Sequence, residues 1–259
     1  MKHLPNLLTL ANLFCGCIAI AFILNAQPLL TTDGQYWVIG TEQAQWGGIF
    51  IAIAALFDLL DGFAARALKV FSPIGKDLDS LADVVSFGVA PSMILFKMLW
   101  GAYMREPNAL DAPMLAMAPA FLLACFAALR LAKFNLTASE QKWSFKGLPV
   151  PAVGLLVASF PLINWYNPMG MGNFLQGKWG IYLVIAILCW LMVSKIRFIK
   201  FMPQKWQLAY FWPQLIIVIG TLVAIPFLKV GAIPVAFILY ILLSLVYKQP
   251  GSTEAVETN

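Results

Sequence analysis

The sequence predicts an all-α polytopic membrane protein with about eight transmembrane helices, and three observations predict it. Hydrophobic residues fill 61% of the 259 positions and charged residues only 11%, about half the charged share of a soluble domain. Apolar runs long enough to cross a bilayer recur from end to end. The cations between those runs are unevenly divided between alternate loops, as the positive-inside rule requires. No stretch is polar enough to form a separate soluble domain. His3 is the sole histidine, which excludes Ser-His-Asp chemistry and histidine-based metal sites.

The expected spans are 5–25, 45–64, 82–101, 114–134, 148–165, 179–195, 211–228 and 231–247. The first lies in MKHLPNLLTLANLFCGCIAIAFILN. It is too long for a signal peptide and has no small-x-small cleavage pattern in the right place, so it reads as a retained helix. The fifth is marginal in length. The seventh and eighth are separated only by Lys229, Val230 and Gly231, which predicts a tight hairpin. The tail KQPGSTEAVETN, 248–259, reads as disordered. Cys15, Cys17, Cys125 and Cys189 all sit in apolar runs without metal-site spacing and read as small buried hydrophobes.

With the N-terminus in the cytoplasm and eight alternating spans, 13 of the 17 Lys and Arg residues fall on the cytoplasmic side and 4 on the other. The loop SKIRFIKFMPQKW, 194–206, is basic with interleaved aromatics and reads as an orientation signal that touches anionic headgroups. No internal repeat is visible, which counts against inverted-repeat transporters. No nucleic-acid partner is expected.

The segment DLLDGFAARALKVFSPIGKDLDSLADVVSF, 58–87, departs from this apolar background by holding five of the seven aspartates. An aspartate at mid-helix in a membrane costs about 2.5–3.5 kcal/mol, so four without compensation would cost on the order of 10 kcal/mol. They must lie near the interface, pair with cations, or both. On a helix over 58–68, Asp58, Asp61, Gly62, Ala65 and Arg66 share one face about 140° wide, while Leu59, Leu60 and Phe63 point elsewhere. Pro73 and Gly75 are expected to break that helix. In the helix that follows, Asp79 and Asp83 are i and i+4 on one face, with Asp77 about 200° away from Asp79.

Two antiparallel helices would bring these faces together, with four carboxylates around one small volume. Oxygen-only ligands favour Mg²⁺, Mn²⁺ or Ca²⁺. Four acids suit two ions about 3.5–4 Å apart, a recurring device for displacement at phosphorus. Gly62 and Ala65 leave room for a phosphate against the helix, and Arg66 supplies paired donors to grip it. Spacing alone also fits the cation-coupling site of a transporter, or interface decoration on a non-catalytic membrane scaffold.

Written out, Asp58-x2-Asp61-Gly62-x2-Ala65-Arg66-x8-Gly75-x3-Asp79-x3-Asp83 places eight identities at fixed intervals over 26 positions. It resembles the signature of the CDP-alcohol phosphatidyltransferases at every fixed position. Within that family, GKDLDSLADVVSFGVAP at 75–91, PNLLTLANLFCG at the start, LRLAKFN at 129–135 and KGLPVPA at 146–152 resemble the branch that uses serine as acceptor. The resemblance covers roughly residues 4–160.

The resemblance implies transfer of a phosphatidyl group from CDP-diacylglycerol to an alcohol, with release of CMP. It implies six helices around a polar cavity open to the cytoplasm, usually in a homodimer of the cytoplasmic membrane. The chain would then divide into a catalytic core over 1–195, the basic loop with a C-terminal hairpin over 196–247, and the tail. Asp58, Asp61 and Asp79 would ligate metal, and Asp83 would touch the second ion and serve as the base. Two ions, Mg²⁺ or Mn²⁺, are implied, with Ca²⁺ as an alternative occupant. Gly62, Ala65, Arg66, Ser72 and Gly75 would face the CDP-diacylglycerol. Asn6 and Thr9, one turn apart at the start of the first span, would complete that site or serve only to start and cap the helix. Arg130 and Lys133 are candidates for the carboxylate of a serine acceptor, with Asn135 adding a hydrogen bond; their alternative role is to anchor topology. Glycerol 3-phosphate and inositol are the alternative acceptors.

Overall fold

The computed structural model describes residues 3–30, 36–39, 41–69, 72–107, 113–137, 145–199 and 208–247. The expected tail at 248–259 and residues 200–206 of the basic loop lie outside them. The described residues are helical almost throughout. In order come α1 (Leu4–Asn25), α2 (Thr41–Leu68), α3 (Pro73–Asp83), a π-helical turn at Val84–Val89 and α4 (Ala90–Tyr103). Then follow α5 (Met114–Met117), α6 (Leu122–Thr137), α7 (Val150–Ala158), α8 (Phe160–Tyr166) and α9 (Met171–Gln176). The chain closes with α10 (Lys178–Val193), α11 (Leu208–Leu228) and α12 (Ala232–Val246). Two antiparallel ladders link elements: β1 (Gln27–Leu30) with β2 (Tyr36–Ile39), and β3 (Phe145–Lys146) with β4 (Arg197–Phe198).

Among the described residues, five helices are long and apolar enough to cross a membrane: Leu4–Asn25, Glu42–Leu68, Ile74–Tyr103, Met114–Leu136 and Trp212–Val246. The pair Pro168–Gln176 and Lys178–Val193, bent by 93°, makes a sixth if taken as one span. Each of the eight expected apolar runs lies on helix, but Val150–Tyr166 is short. The stretch Trp212–Val246 is not straight. Lys229 takes a positive φ of 48° between α11 and α12, and the Trp212 ring packs edge-on to Tyr247 at 5.3 Å. The two helices therefore fold back as the hairpin that the three-residue separation suggested.

The burial pattern of α1 shows how a membrane helix builds a polar interior. Its buried residues are Pro5, Thr9, Asn12, Cys15, Gly16, Ala19 and Ile23, while Leu7, Leu10 and Phe14 are exposed. Small and polar residues, with Ile23 at the end, form the inward stripe at helical spacing, and Leu7, Leu10 and Phe14 face outward. This is what packing against other helices in lipid selects, because close backbone approach rather than water exclusion holds such helices together.

Gly16 illustrates that approach. A Cβ there would stand 2.3 Å from Ser86 Oγ and 2.9 Å from Ser86 Cα, inside the π-helical turn. Gly16→Ala is therefore expected to destabilise the fold by about 1–3 kcal/mol through overpacking, read as a lower melting temperature in detergent. A variant melting with the wild type would contradict the contact.

The C-terminal hairpin is attached through α12. Tyr240 Oη donates to the Ile199 carbonyl at 3.0 Å, and Ser244 Oγ accepts from the Ile199 N–H at 3.3 Å. Tyr240 also stacks on Phe198 at 5.7 Å. At the end of α4 remote from α3, Tyr103 and Tyr182 share a hydrogen bond of 2.9 Å, and Lys178 pairs with Glu106 at 2.6 Å.

Candidate active site

Helix α2 runs unbroken to Leu68, so Asp58 and Asp61 lie one turn apart on its inner side. Asp61 is 6% exposed, whereas Leu59 and Phe63 are 55% and 63% exposed on the outer side. The chain leaves α2 at residue 68, where the helix over 58–68 was expected to end, and Pro73 and Gly75 lie in the first turn of the next helix. Lys69 ends α2 at a positive φ of 51°, Ser72 caps α3, and Pro73 opens it. Proline suits the first helical position because the N–H it lacks would have no partner there. Helix α3 then carries Asp79 and Asp83 on one face and leaves Asp77 exposed.

The two helices bring one ligand oxygen each from Asp58, Asp61 and Asp79 within 4.8 Å of one another. Asp83, 6% exposed, is not among the three acids within that distance, and its carboxylate interacts electrostatically with Asp58 and Asp79. Like charges 4.8 Å apart repel by about 3.5 kcal/mol per pair at an effective dielectric constant near 20. Asp79 Oδ1 is buried without a hydrogen-bond partner. Converging carboxylate oxygens with an unsatisfied acceptor, and no thiolate or imidazole among them, fit a hard divalent cation.

Helix α1 is the template against which the acids are set. Asn6 Oδ1 lies 2.9 Å from where a Cβ on Gly75 would stand, so only glycine admits this contact with α3. One turn on, Thr9 Oγ1 is 2.6 Å from Asp61 Oδ2 and 3.0 Å from the Pro5 carbonyl. Its single proton serves the shorter, charged contact. Neither residue caps the helix, because the N-cap position is His3, without a side-chain cap. The capping alternative for Asn6 and Thr9 is thereby set aside.

Asn12 continues the same stripe, and the sequence reading missed it. It is fully buried, and its Nδ2 donates to Asp83 Oδ1 at 3.3 Å. A carboxylate only accepts, so the amide must present its nitrogen. Asn12 Oδ1 is buried without a partner, which costs the fold about 1–3 kcal/mol. A usable signal was present: Asn6, Thr9 and Asn12 recur at three-residue intervals in an otherwise apolar run.

The other predicted residues divide. Arg66 is exposed and folds its guanidinium back over Gly62, with Nη1 3.5 Å from the position of an added Cβ. Ala65 is half-buried beside it. Ser72 Oγ accepts from the Gly75 N–H at 3.4 Å, so its hydroxyl serves as the α3 cap. Arg130 is buried, interacts electrostatically with Asp83 and lies 5.2 Å from the Phe134 ring centroid. Lys133 is exposed. Asn135 donates to Ser80 Oγ at 2.7 Å, and its carbonyl accepts from Lys76 Nζ at 3.2 Å. Of the three candidate acceptor residues, Arg130 is buried and interacts with Asp83, Lys133 is exposed, and Asn135 ties α6 to α3.

Residues 2–225 match the family model described as CDP-alcohol phosphatidyltransferase, well past residue 160, where the resemblance legible in the sequence ended. A Helicobacter pylori J99 protein named CDP-diacylglycerol–serine O-phosphatidyltransferase is 32% identical over 80% of this chain and 76% of its own length. A Bacillus subtilis 168 protein of the same name is 32% identical over 78% of this chain and 92% of its own. An archaetidylserine synthase of Methanothermobacter thermautotrophicus is 30% identical over 75% of this chain and 69% of its own.

Proposed function

The chain belongs to the CDP-alcohol phosphatidyltransferase family, and from that premise we propose that it transfers the phosphatidyl group of CDP-diacylglycerol to L-serine, giving phosphatidylserine and CMP. The reading is carried by the convergence of Asp58, Asp61 and Asp79 within 4.8 Å, with Asp83 beside them. Serine as acceptor is supported by the names of the relatives. Two divalent cations, Mg²⁺ or Mn²⁺, held by Asp58, Asp61, Asp79 and Asp83, would neutralise the diphosphate and the departing CMP.

The residues divide the work. Thr9 restrains Asp61 through its hydroxyl. Asn6, Gly62, Ala65, Arg66, Ser72 and Gly75 line the side that receives the cytidine diphosphate, where the small residues admit a phosphate and Arg66 grips it. Asp83 accepts the proton of the serine hydroxyl as its oxygen bonds to the phosphorus that bears diacylglycerol. The bond from that phosphorus to CMP breaks, and CMP leaves with the electron pair. Arg130, a buried cation beside Asp83, receives the serine carboxylate, with Lys133 at the rim. Asn135 acts indirectly by holding α3.

One substrate is a two-tailed lipid and the other is water-soluble, so the centre must open to both phases. The cation asymmetry of the loops supports a cytoplasmic face for the N-terminus and the site. We place the protein in the cytoplasmic membrane as a homodimer, the arrangement implied by its family.

The test offers the purified protein CDP-diacylglycerol and Mn²⁺ or Mg²⁺, with serine, glycerol 3-phosphate, inositol and choline supplied separately. Phosphatidylserine and CMP, formed only with serine, are the expected products. A lipid product with a different acceptor alone would overturn the serine assignment. No CMP release with any of the four would point to a cation-coupled transporter or a scaffold.

A further inference from the structure

We propose that Asn12 is a positioning residue for phosphatidyl transfer: its amide N–H holds one oxygen of Asp83 so that the carboxylate is fixed to take the acceptor's proton. The inference rests on the reading of Asp83 as the base. Three observations carry it. The donor contact, 3.3 Å from Nδ2 to Asp83 Oδ1, joins two buried side chains from helices far apart in sequence.

Both backbones are also locked. Ser86 Oγ, in the π-helical turn that begins directly after Asp83, donates to the Asn12 carbonyl at 3.1 Å, and Gly16 packs against the same serine. Single π turns of this kind occur often where a helix must aim a functional side chain. Both side chains are buried, with Asn12 at 0% and Asp83 at 6% exposure.

The third observation is the unsatisfied Asn12 Oδ1. A residue chosen for stability at a fully buried position would leave no orphaned acceptor, and a leucine would fill the space without one. What the asparagine alone provides there is a donor to Asp83. The proton balance of the transfer is unchanged: Asp83 takes the serine hydroxyl proton, CMP leaves with the electron pair of the broken P–O bond, and Asn12 exchanges no proton.

The test compares wild type, Asn12→Leu and Asn12→Ala as purified full-length proteins with CDP-diacylglycerol, serine and Mn²⁺. The expected result is a fall in kcat of about 10–100-fold, the usual effect of removing a group that orients a site's ligands. KM for CDP-diacylglycerol should stay within about twofold, and Asn12→Leu should melt no lower than the wild type. In an Asp83→Asn background the loss at Asn12 should disappear, because the two act as one unit. The alanine variant keeps the test open if leucine is not accommodated.

A kcat within about twofold of wild type in either folded variant would overturn the inference. So would a matching loss of substrate binding and melting temperature in both, or losses additive with Asp83→Asn. If Asp83→Asn itself turns over normally, it is the reading of Asp83 as the base that fails. If Asp83→Asn is inactive and the Asn12 variants are normal, only the present inference falls.

Discussion

Asp83→Asn is expected to lower kcat for CMP release by about 10²–10⁴-fold, the range that a positioned general base contributes, while CDP-diacylglycerol still binds. The substitution separates chemistry from geometry unusually well at this position. A carboxamide has the shape of the carboxylate, and its oxygen can still accept from Asn12 Nδ2, the contact that spans 3.3 Å in the wild type. What it loses is its charge toward the second ion and the ability to take a proton from a serine hydroxyl, which is a poor nucleophile while it keeps that proton. Asp58, Asp61 and Asp79 are untouched, so the three-acid cluster stays in place. Turnover and binding should therefore part company: single-turnover CMP release collapses, and titration of CDP-diacylglycerol is little changed. Undiminished CMP release would remove Asp83 from the role of base.

The spacing of the acids carried most of the site. Two carboxylates three residues apart on one helix and two four residues apart on the next can face each other in few ways, and a membrane makes the remaining ways costly. The same logic carried the hairpin of α11 and α12, since Lys229, Val230 and Gly231 leave little chain for anything but a reversal. The number of crossings was less legible. Val150–Tyr166 is apolar yet short, and the bend between α9 and α10 turns the chain by 93°. Apolar composition reports neither, because lipid and a buried protein interior select the same residues.

The acceptor side was the least legible. Arg130, Lys133 and Asn135 stand close in sequence, but positions 130 and 133 fall on differently exposed parts of α6, and Asn135 is engaged with Ser80. Asn12 was hidden for the opposite reason. It shares its run with Asn6 and Thr9 at three-residue intervals, but only the folded contact of its Nδ2 with Asp83 Oδ1 shows where it is aimed.

Excess EDTA is expected to abolish CMP release, and added Mg²⁺ or Mn²⁺ to restore it. The loss should reach at least about 10³-fold, since charge stabilisation by bound cations is worth several kcal/mol in the transition state. The argument begins in the ground state. Three carboxylates within 4.8 Å repel by about 3.5 kcal/mol per pair at an effective dielectric constant near 20, and a diphosphate brings further negative charge to the same place. Arg66, exposed at the end of α2, and Arg130, beside Asp83, cannot offset that sum. Without divalent cations the acids must take up protons or spread apart, and in either state the site repels or fails to grip the nucleotide. The loss should therefore appear in CDP-diacylglycerol affinity as well as in rate, unlike the loss in Asp83→Asn. Recovery on adding the cation separates this from denaturation, and a spin-active Mn²⁺ titration reports occupancy without turnover. Asp58→Asn and Asp79→Asn should each weaken that Mn²⁺ binding by at least about 10–100-fold, the cost of losing merely a group that orients a metal ligand. Full activity in excess chelator would mean that this cluster tolerates a diphosphate without counter-charge, and the two-ion reading would have to be abandoned.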